Sequence, residues 1–354
     1  MMDEKLRKLI EEKAAKNAGT RLMSAEMIDP SKIERIPTGI TAVDTVLHGG
    51  IGRGDMTIIC GPTHTGKTCL GAQIICKAVA MKQDEPFVIY SGEQQAGELK
   101  WSILQHLAGS EMAKTGVGEY GISDETRDAI ERATWNQLLW LEAKDENGKP
   151  LPQGERWTHM HTEFTTYAEA GVKKFYVDNM MMVGTEILGS REIKLQSDLE
   201  RQTYIGTWLE SFAKQYNVWV ILVAHFKKAD GETSYMTGPD KILGASSVPN
   251  SAGFIIEYNW YSDKEIWGDP KNKDKFPGDP SLEYSRKVKI WKNRGYGTRQ
   301  TRGIRTEFDP QSTRIWTAEK DKEDAAYPWR ARFKDPEWHD YKADETDCLP
   351  FVGA

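Results

Sequence analysis

Residues 61–68 read GPTHTGKT and match the spacing GxxxxGK[ST]. No other stretch of the chain restricts the fold so much, because its chemistry needs a buried strand on one side and a helix N-terminus on the other. Both neighbours fit: the apolar run 56–60 (MTIIC) precedes it and the largely apolar run 67–81 follows. Glycines at 61 and 66 let the backbone turn tightly, and N–H groups of the loop and of the first helical turn then converge on a phosphate. Lys67 adds positive charge for the same anion, and Thr68 offers a hydroxyl to Mg²⁺. Gly61, Pro62, Thr63, His64, Thr65, Gly66, Lys67, Thr68 and the next residue, Cys69, are therefore the candidate nucleotide contacts. The competing reading is a glycine-rich turn with an exposed lysine, which the strand–loop–helix setting disfavours.

The rest of the chain repeats that rhythm. Strands are expected at 56–60, 87–90, 137–143, 174–177 and 218–224, and helices near 67–81, 93–107, 122–136, 161–171 and 195–216. Short apolar strands alternating with helices predict an α/β fold, a mostly parallel twisted sheet with helices on both faces. A short helix is expected within 37–50, with Thr41 as its N-cap, Asp44 three residues later, and Gly49 and Gly50 at its end. Beyond residue 240, strands at 254–258, 284–291 and 304–308 succeed one another without long helices, which predicts antiparallel strands added at one edge. Residues 261–283, rich in Asp, Lys, Pro and Gly, read as a mobile loop. Residues 3–17 read as a charged helix with a narrow stripe of Leu6, Leu9, Ile10 and Ala14. Such a helix is either a solvated extension or one that docks on a second copy.

Composition removes other classes. With 39% hydrophobic and 28% charged residues, the 354-residue chain is an ordinary globular protein with length for one large domain or two small ones. The longest nearly apolar stretch, 68–81, is short and carries Lys77, so no membrane span is expected. Residues 1–20 are dense in Lys and Glu, which argues against a secretory signal. The cysteines Cys60, Cys69, Cys76 and Cys348 show no CxxC spacing and read as reduced thiols of a cytoplasmic protein without zinc. A net charge of −6 gives no bulk attraction for nucleic acid. That total hides an uneven distribution. Residues 286–305 hold eight basic residues and no acidic one, while residues 319–354 hold ten acidic and six basic.

Further candidates follow from the ends of the expected strands, where ligands sit in such sheets. Asp178 ends FYVD and is the natural second Mg²⁺ ligand, although an Asp there can also be a helix cap. Glu93 follows FVIYS and can polarise an attacking water, or simply favour a helix N-terminus. His225 ends VILVA beside Lys227 and Lys228, where it can sense the terminal phosphate. Arg294 and Lys292, in the run KNR, are candidates for the extra cation of a phosphoryl-transfer site.

In chain order, GPTHTGKT, SGEQ, FYVDNM, ILVAHFKK, LGASSVPNSAG and KIWKNRGYGT resemble the motifs of the RecA-like motor domain of DnaB-type hexameric replicative helicases. The likeness is nearest to the motor domains of phage primase–helicases and of the mitochondrial Twinkle helicase, and it covers about residues 35–318. The resemblance implies a RecA-like P-loop NTPase fold, with ATP or another nucleoside triphosphate and Mg²⁺. It makes Lys67 and Thr68 the Walker A pair, Asp178 the Walker B acid, Glu93 the catalytic base and His225 a γ-phosphate sensor. Arg294, with Lys292 beside it, becomes an arginine finger acting on the adjacent subunit's nucleotide. Phe308 becomes the aromatic residue that packs on the adenine. Lys227, Lys228 and Lys241, with Arg191 and Lys194, become the basic residues that hold single-stranded DNA.

The sequence departs from that family at Thr63 and His64, where smaller residues are usual, at Asn250, usually Gln, and at Gly253, usually Asp. The resemblance divides the chain into a linker helix and arm (1–34), a motor domain (35–318) and an acidic tail (319–354). The expected function is a phage-encoded, ATP-driven ring, a hexamer, that unwinds DNA at the replication fork. The tail would contact a polymerase, primase or single-strand-binding protein, or only solubilise the chain. Two rivals stay open: a RecA-like recombinase forming filaments, and a nucleotide-gated DNA clamp that does not unwind.

Overall fold

The computed structural model describes residues 33–317, except 82–84, 93–95, 110–120, 135–136, 146, 189–192, 194, 196, 228–236, 244–246 and 273. Met1–Glu34 and Arg35–Ala354 are separate compact units, and the elements below belong to the second. The helix expected at 3–17 and the tail at 319–354 lie outside the described residues.

The strands are β1 (Arg35–Ile36), β2 (Ile51–Gly52), β3 (Met56–Gly61), β4 (Phe87–Ser91), β5 (Leu138–Leu141), β6 (Lys174–Asp178), β7 (Trp219–His225), β8 (Phe254–Trp260), β9 (Arg286–Asn293), β10 (Gln300–Phe308) and β11 (Ile315–Trp316). The helices are α1 (Thr41–Val46), α2 (Lys67–Met81), α3 (Ala96–Ala108), α4 (Asp124–Ala133), α5 (Gln153–Glu169), α6 (Met180–Glu186), α7 (Asp198–Gln215), α8 (Ser247–Ser251) and α9 (Asp263–Trp267). Among the described residues, nine strands form one sheet in the order β11-β10-β9-β8-β3-β7-β6-β4-β5. From β8 to β5 every neighbour is parallel, and β9, β10 and β11 extend the β8 edge antiparallel, as the sequence pattern predicts.

Central strands buried on both faces need continuous apolar runs, and β3 and β7 supply them. Ile59, Leu70, Ile74, Leu99 and Ile103 form the core under α2 and α3. Ile58, Phe164, Phe175, Leu209 and Phe212 form the core under α5 and α7. Each such side chain contributes roughly 1.5–3 kcal/mol of burial, which fixes the sheet as a rigid platform.

Several local expectations need correction. Thr41 is the first helical residue of α1 and not its cap; the N-cap is Ile40, without a side-chain bond. The capping is done from inside the helix, where Asp44 accepts from Thr38 N (2.6 Å), Thr38 Oγ1 (2.8 Å) and Gly39 N (3.1 Å). Helix α5 starts at Gln153, well before the expected 161, because Trp157, Met160, Phe164 and Ala168 form one buried stripe. Helix α6, directly after Asp178, has no counterpart among the expected elements; Asn179 caps it by accepting from Met181 N and Met182 N. The presumed loop 261–283 contains α9, whose start is fixed by a capping box of Ser262 and Glu265. Glu265 in turn accepts from Lys287 on β9.

Candidate functional site

The phosphate loop leaves β3 at Gly61 and enters α2 at Lys67. A Cβ on Gly61 would lie 2.2 Å from the Tyr258 carbonyl oxygen, so the loop root can rest on β8 only as glycine. Gly66 (φ 90°) and His64 (φ 60°) take left-handed conformations, and histidine is among the residues that tolerate them. Thr63 and His64 are exposed, whereas Thr65 is buried and its hydroxyl donates to Pro62 O at 3.0 Å. Lys67 is buried, and its ammonium reaches across the loop to Pro62 O at 2.6 Å. Cys69 is half-buried in the first turn of α2, where burial raises its thiol pKa.

The other strand ends converge here. Thr68 Oγ1 donates to Asp178 Oδ2 at 3.0 Å, and Tyr176 OH donates to the same oxygen at 3.2 Å. Gly71 lets the tyrosine approach, since a Cβ there would lie 2.5 Å from its hydroxyl. A hydroxyl and a buried carboxylate are the hard oxygen donors that suit Mg²⁺, and their contact passes this test of fit. Ser91 lies in register with Asp178, and Gly92 N donates to Asp178 O at 2.7 Å. The residue that follows, Glu93, lies outside the described residues. His225 pairs in register with Gly61, and Phe226 N donates to Gly61 O at 3.1 Å.

Lys227 N donates to Lys241 O at 2.8 Å, so these two expected DNA contacts stand side by side. Lys227 is exposed, and Lys241 Nζ pairs with Asp240 at 3.1 Å. Lys228, Arg191 and Lys194 lie outside the described residues.

Arg294 and Lys292 are at the far end of the sheet. Strand β9 runs antiparallel to β8 and sets Asn293 opposite Phe254, itself beside Thr57 at the start of β3. Roughly 20 Å of strand, six residues at about 3.3 Å each, separates this end from the phosphate loop. Arg294 pairs with Asp55 at 3.0 Å and donates to Ser251 O at 2.8 Å. Lys292 Nζ donates to Asn250 O at 2.7 Å and Pro249 O at 3.2 Å. Burial, then the neighbouring Arg294, lowers the Lys292 pKa, with Asp55 and Glu210 opposing. Gly253 also has a physical reason: a Cβ there would lie 2.4 Å from the Asp55 carboxylate carbon.

One residue is not singled out by the sequence. Arg286 opens β9 and is buried beside the phosphate loop, with Nη1 3.7 Å from where a Cβ on Gly66 would stand. Its guanidinium lies 3.8 Å from the Phe308 ring centroid and 4.3 Å from that of Trp260. Among the described residues it has no carboxylate partner, so a buried cation faces the nucleotide loop with only aromatic neighbours. Its position next to Phe308 follows only from the β9–β10 register, which no local motif announces.

Three further facts bear on the site's class. Among the described residues Cys60, Cys69 and Cys76 are free thiols. No group of three or more His, Cys, Asp or Glu side chains able to hold a metal occurs among them. No described helix is long and apolar enough to cross a membrane.

Residues 36–114 match the family model described as the KaiC ATPase. Over 74 residues the chain is 37% identical to the circadian clock protein KaiC2 of Synechocystis sp., covering 21% of this chain and 12% of that protein. The matched region thus spans only about an eighth of the curated relatives' length. The solved ATPase domain of a DnaB-like helicase superposes with a TM-score of 0.57 at 15% identity, over 90% of this chain and 99% of that domain. A DnaB-like replicative helicase, from a structure describing its interactions with primase, superposes with a TM-score of 0.58 at 15% identity, over 89% and 68%. The chain therefore has the RecA-like ATPase fold seen in the motor domains of DnaB-type helicases.

Proposed function

We propose that this chain is the ATP-driven motor of a replicative DNA helicase, working as a ring of copies, a hexamer, on single-stranded DNA. The observation that carries the reading is the separation of two half-sites. The phosphate loop and Asp178 lie at one end of the sheet, and Arg294 with Lys292 at the other. Strand β3 is rigid, so Arg294 cannot reach its own chain's Lys67. A second copy that sets its Arg294 end against this phosphate loop would complete the site.

In that arrangement, loop N–H groups and Lys67 hold the triphosphate. Thr68 and Asp178 would hold Mg²⁺, which supplies positive charge to the phosphate oxygens. Glu93 orients the attacking water as general base. Arg294, supported by Lys292, neutralises charge developing on the phosphoryl group bound to the neighbour. Arg286 and Phe308 flank the base. His225 is coupled through Phe226 to Lys227, and Lys227, Lys228, Lys241, Arg191 and Lys194 hold DNA phosphates.

The test is a forked duplex incubated with ATP and Mg²⁺, with electron microscopy of the same particles. Strand separation by closed rings is the expected result. Hydrolysis without separation would favour the clamp, and open filaments on DNA would favour the recombinase.

A further inference from the structure

Glu257 lies in the middle of β8, fully buried, opposite Cys60 on β3 and Lys289 on β9. A carboxylate in such a place is costly unless its oxygens are well supplied with donors. Here they are. Thr237 Oγ1 donates to both oxygens (2.8 and 2.9 Å), Gly238 N donates to Oε2 (2.9 Å), Trp291 Nε1 to Oε2 (2.7 Å) and Asn259 Nδ2 to Oε1 (3.1 Å). Lys289 Nζ donates to the Thr237 hydroxyl at 2.9 Å and completes the chain.

These donors come from two sources. Trp291 and Asn259 belong to the sheet. Thr237 and Gly238 belong to the arm that returns toward Lys241, which is tied to the other arm by Lys227 N→Lys241 O (2.8 Å) and Leu243 N→His225 O (2.7 Å). Trp291 is also the residue at which β9 slips register, since Ile255 pairs with Lys292 but Ile256 with Ile290. A bulge of this kind re-aims a side chain, and here it turns the indole onto Glu257. The next residues along the strand are Lys292, Asn293 and Arg294.

We propose that Glu257 and Trp291 are positioning residues that lock the arm carrying Lys241 to the strand carrying Lys292 and Arg294. The inference rests on the functional reading above in assigning Lys227 and Lys241 to single-stranded DNA. The arm cannot leave the sheet without leaving a buried carboxylate short of donors, so it holds one position as a unit with β9. A displacement of β9 at a junction between copies is thereby passed to the lysines of the arm.

The test compares Trp291→Phe, which keeps a ring and removes one donor, with Glu257→Gln in the full chain. Three quantities are read: affinity for a fluorescent ATP analogue, stimulation of hydrolysis by an oligo-dT strand, and hydrogen exchange at residues 237–243. Both variants should bind the analogue as the parent does and lose about tenfold of the DNA stimulation. Exchange at Gly238 and Leu243 should quicken by about tenfold. Parent-like exchange in Trp291→Phe overturns the proposal, as does a fall in melting temperature that moves neither exchange nor stimulation. Should Glu257→Gln fail to fold, Trp291→Phe decides. A parent chain that ignores DNA overturns the functional reading instead, and the exchange measurement still decides the anchor.

Discussion

Arg294 and Asp55 are joined at 3.0 Å at the end of β3 remote from Lys67. The pair is partly exposed, so its loss should change stability by no more than about 1 kcal/mol. Arg294→Ala should therefore fold and bind nucleotide like the parent, yet lose about 10³-fold in DNA-stimulated hydrolysis. Steady-state hydrolysis and nucleotide titration of the variant check this, and full activity would remove Arg294 from the reaction.

Separate half-sites also predict complementation. Lys67→Ala and Arg294→Ala should each be inactive alone. Mixed in equal amounts they should regain activity, because some junctions then pair an intact phosphate loop with an intact arginine. A mixture as inactive as its components would mean that the two residues do not serve one site across copies.

Arg286 predicts a different signature. It faces the phosphate loop from a cage of Phe308 and Trp260 and has no carboxylate partner among the described residues. Arg286→Ala should raise KM for ATP by about 10-fold or more while changing kcat much less, the pattern of lost ground-state binding. A fall in kcat at constant KM would instead assign Arg286 to the chemical step.

Gly71 and Tyr176 leave no room for a methyl group, with 2.5 Å between a Cβ at 71 and the tyrosine hydroxyl. Gly71→Ala should cost about 1–3 kcal/mol through overpacking. It should also raise the Mg²⁺ concentration needed for half-maximal hydrolysis, because the same hydroxyl donates to Asp178. Thermal melting and a Mg²⁺ titration measure the two effects separately.

Asp44 gives the fold a pH dependence. Burial pushes its carboxyl up to about 6, with hydrogen bonds from Thr38 and Gly39 and the charge of Lys77 opposing. Below the ordinary carboxylate range both folded and unfolded chains hold the proton, and no penalty arises. Between about 4 and 6 only the folded chain keeps it, so this group's contribution to stability falls as pH rises and is flat above 6. The loss is at most about 3 kcal/mol. Asp44→Asn should remove that slope, which urea unfolding at pH 4 and pH 7 will show. An unchanged slope would mean that Asp44 does not titrate in this window.

Much of this architecture is legible in the sequence, for a physical reason. Met56–Gly61 and Trp219–His225 are buried on both faces and therefore read as unbroken apolar runs. The antiparallel edge is readable from the absence of long helices after residue 240. Elements held by polar contacts are not legible. Helix α6 depends on the Asn179 cap, and α9 on the Ser262–Glu265 box, and neither shows as a hydrophobic period. The same distinction applies at the site. GPTHTGKT and the Asp178 strand announce themselves through local spacing. Arg286 beside Phe308, and Asp55 against Gly253, are meetings across the sheet that only strand order and register bring about.

The sheet order has a consequence for how copies can associate. Its outermost strands are its weakest templates: β11 has two residues and β5 has four. Where β11 stops, the next strand β10 exposes Arg302 and Arg305 and shifts register around Gly303 (φ 90°). Short edges, arginines and a bulge are devices that discourage edge-to-edge addition of strands. A chain that must gather its own copies and still stay soluble is thereby steered away from endless sheet growth. Its contacts are left to side chains and loops, which can be made and broken in each round of work.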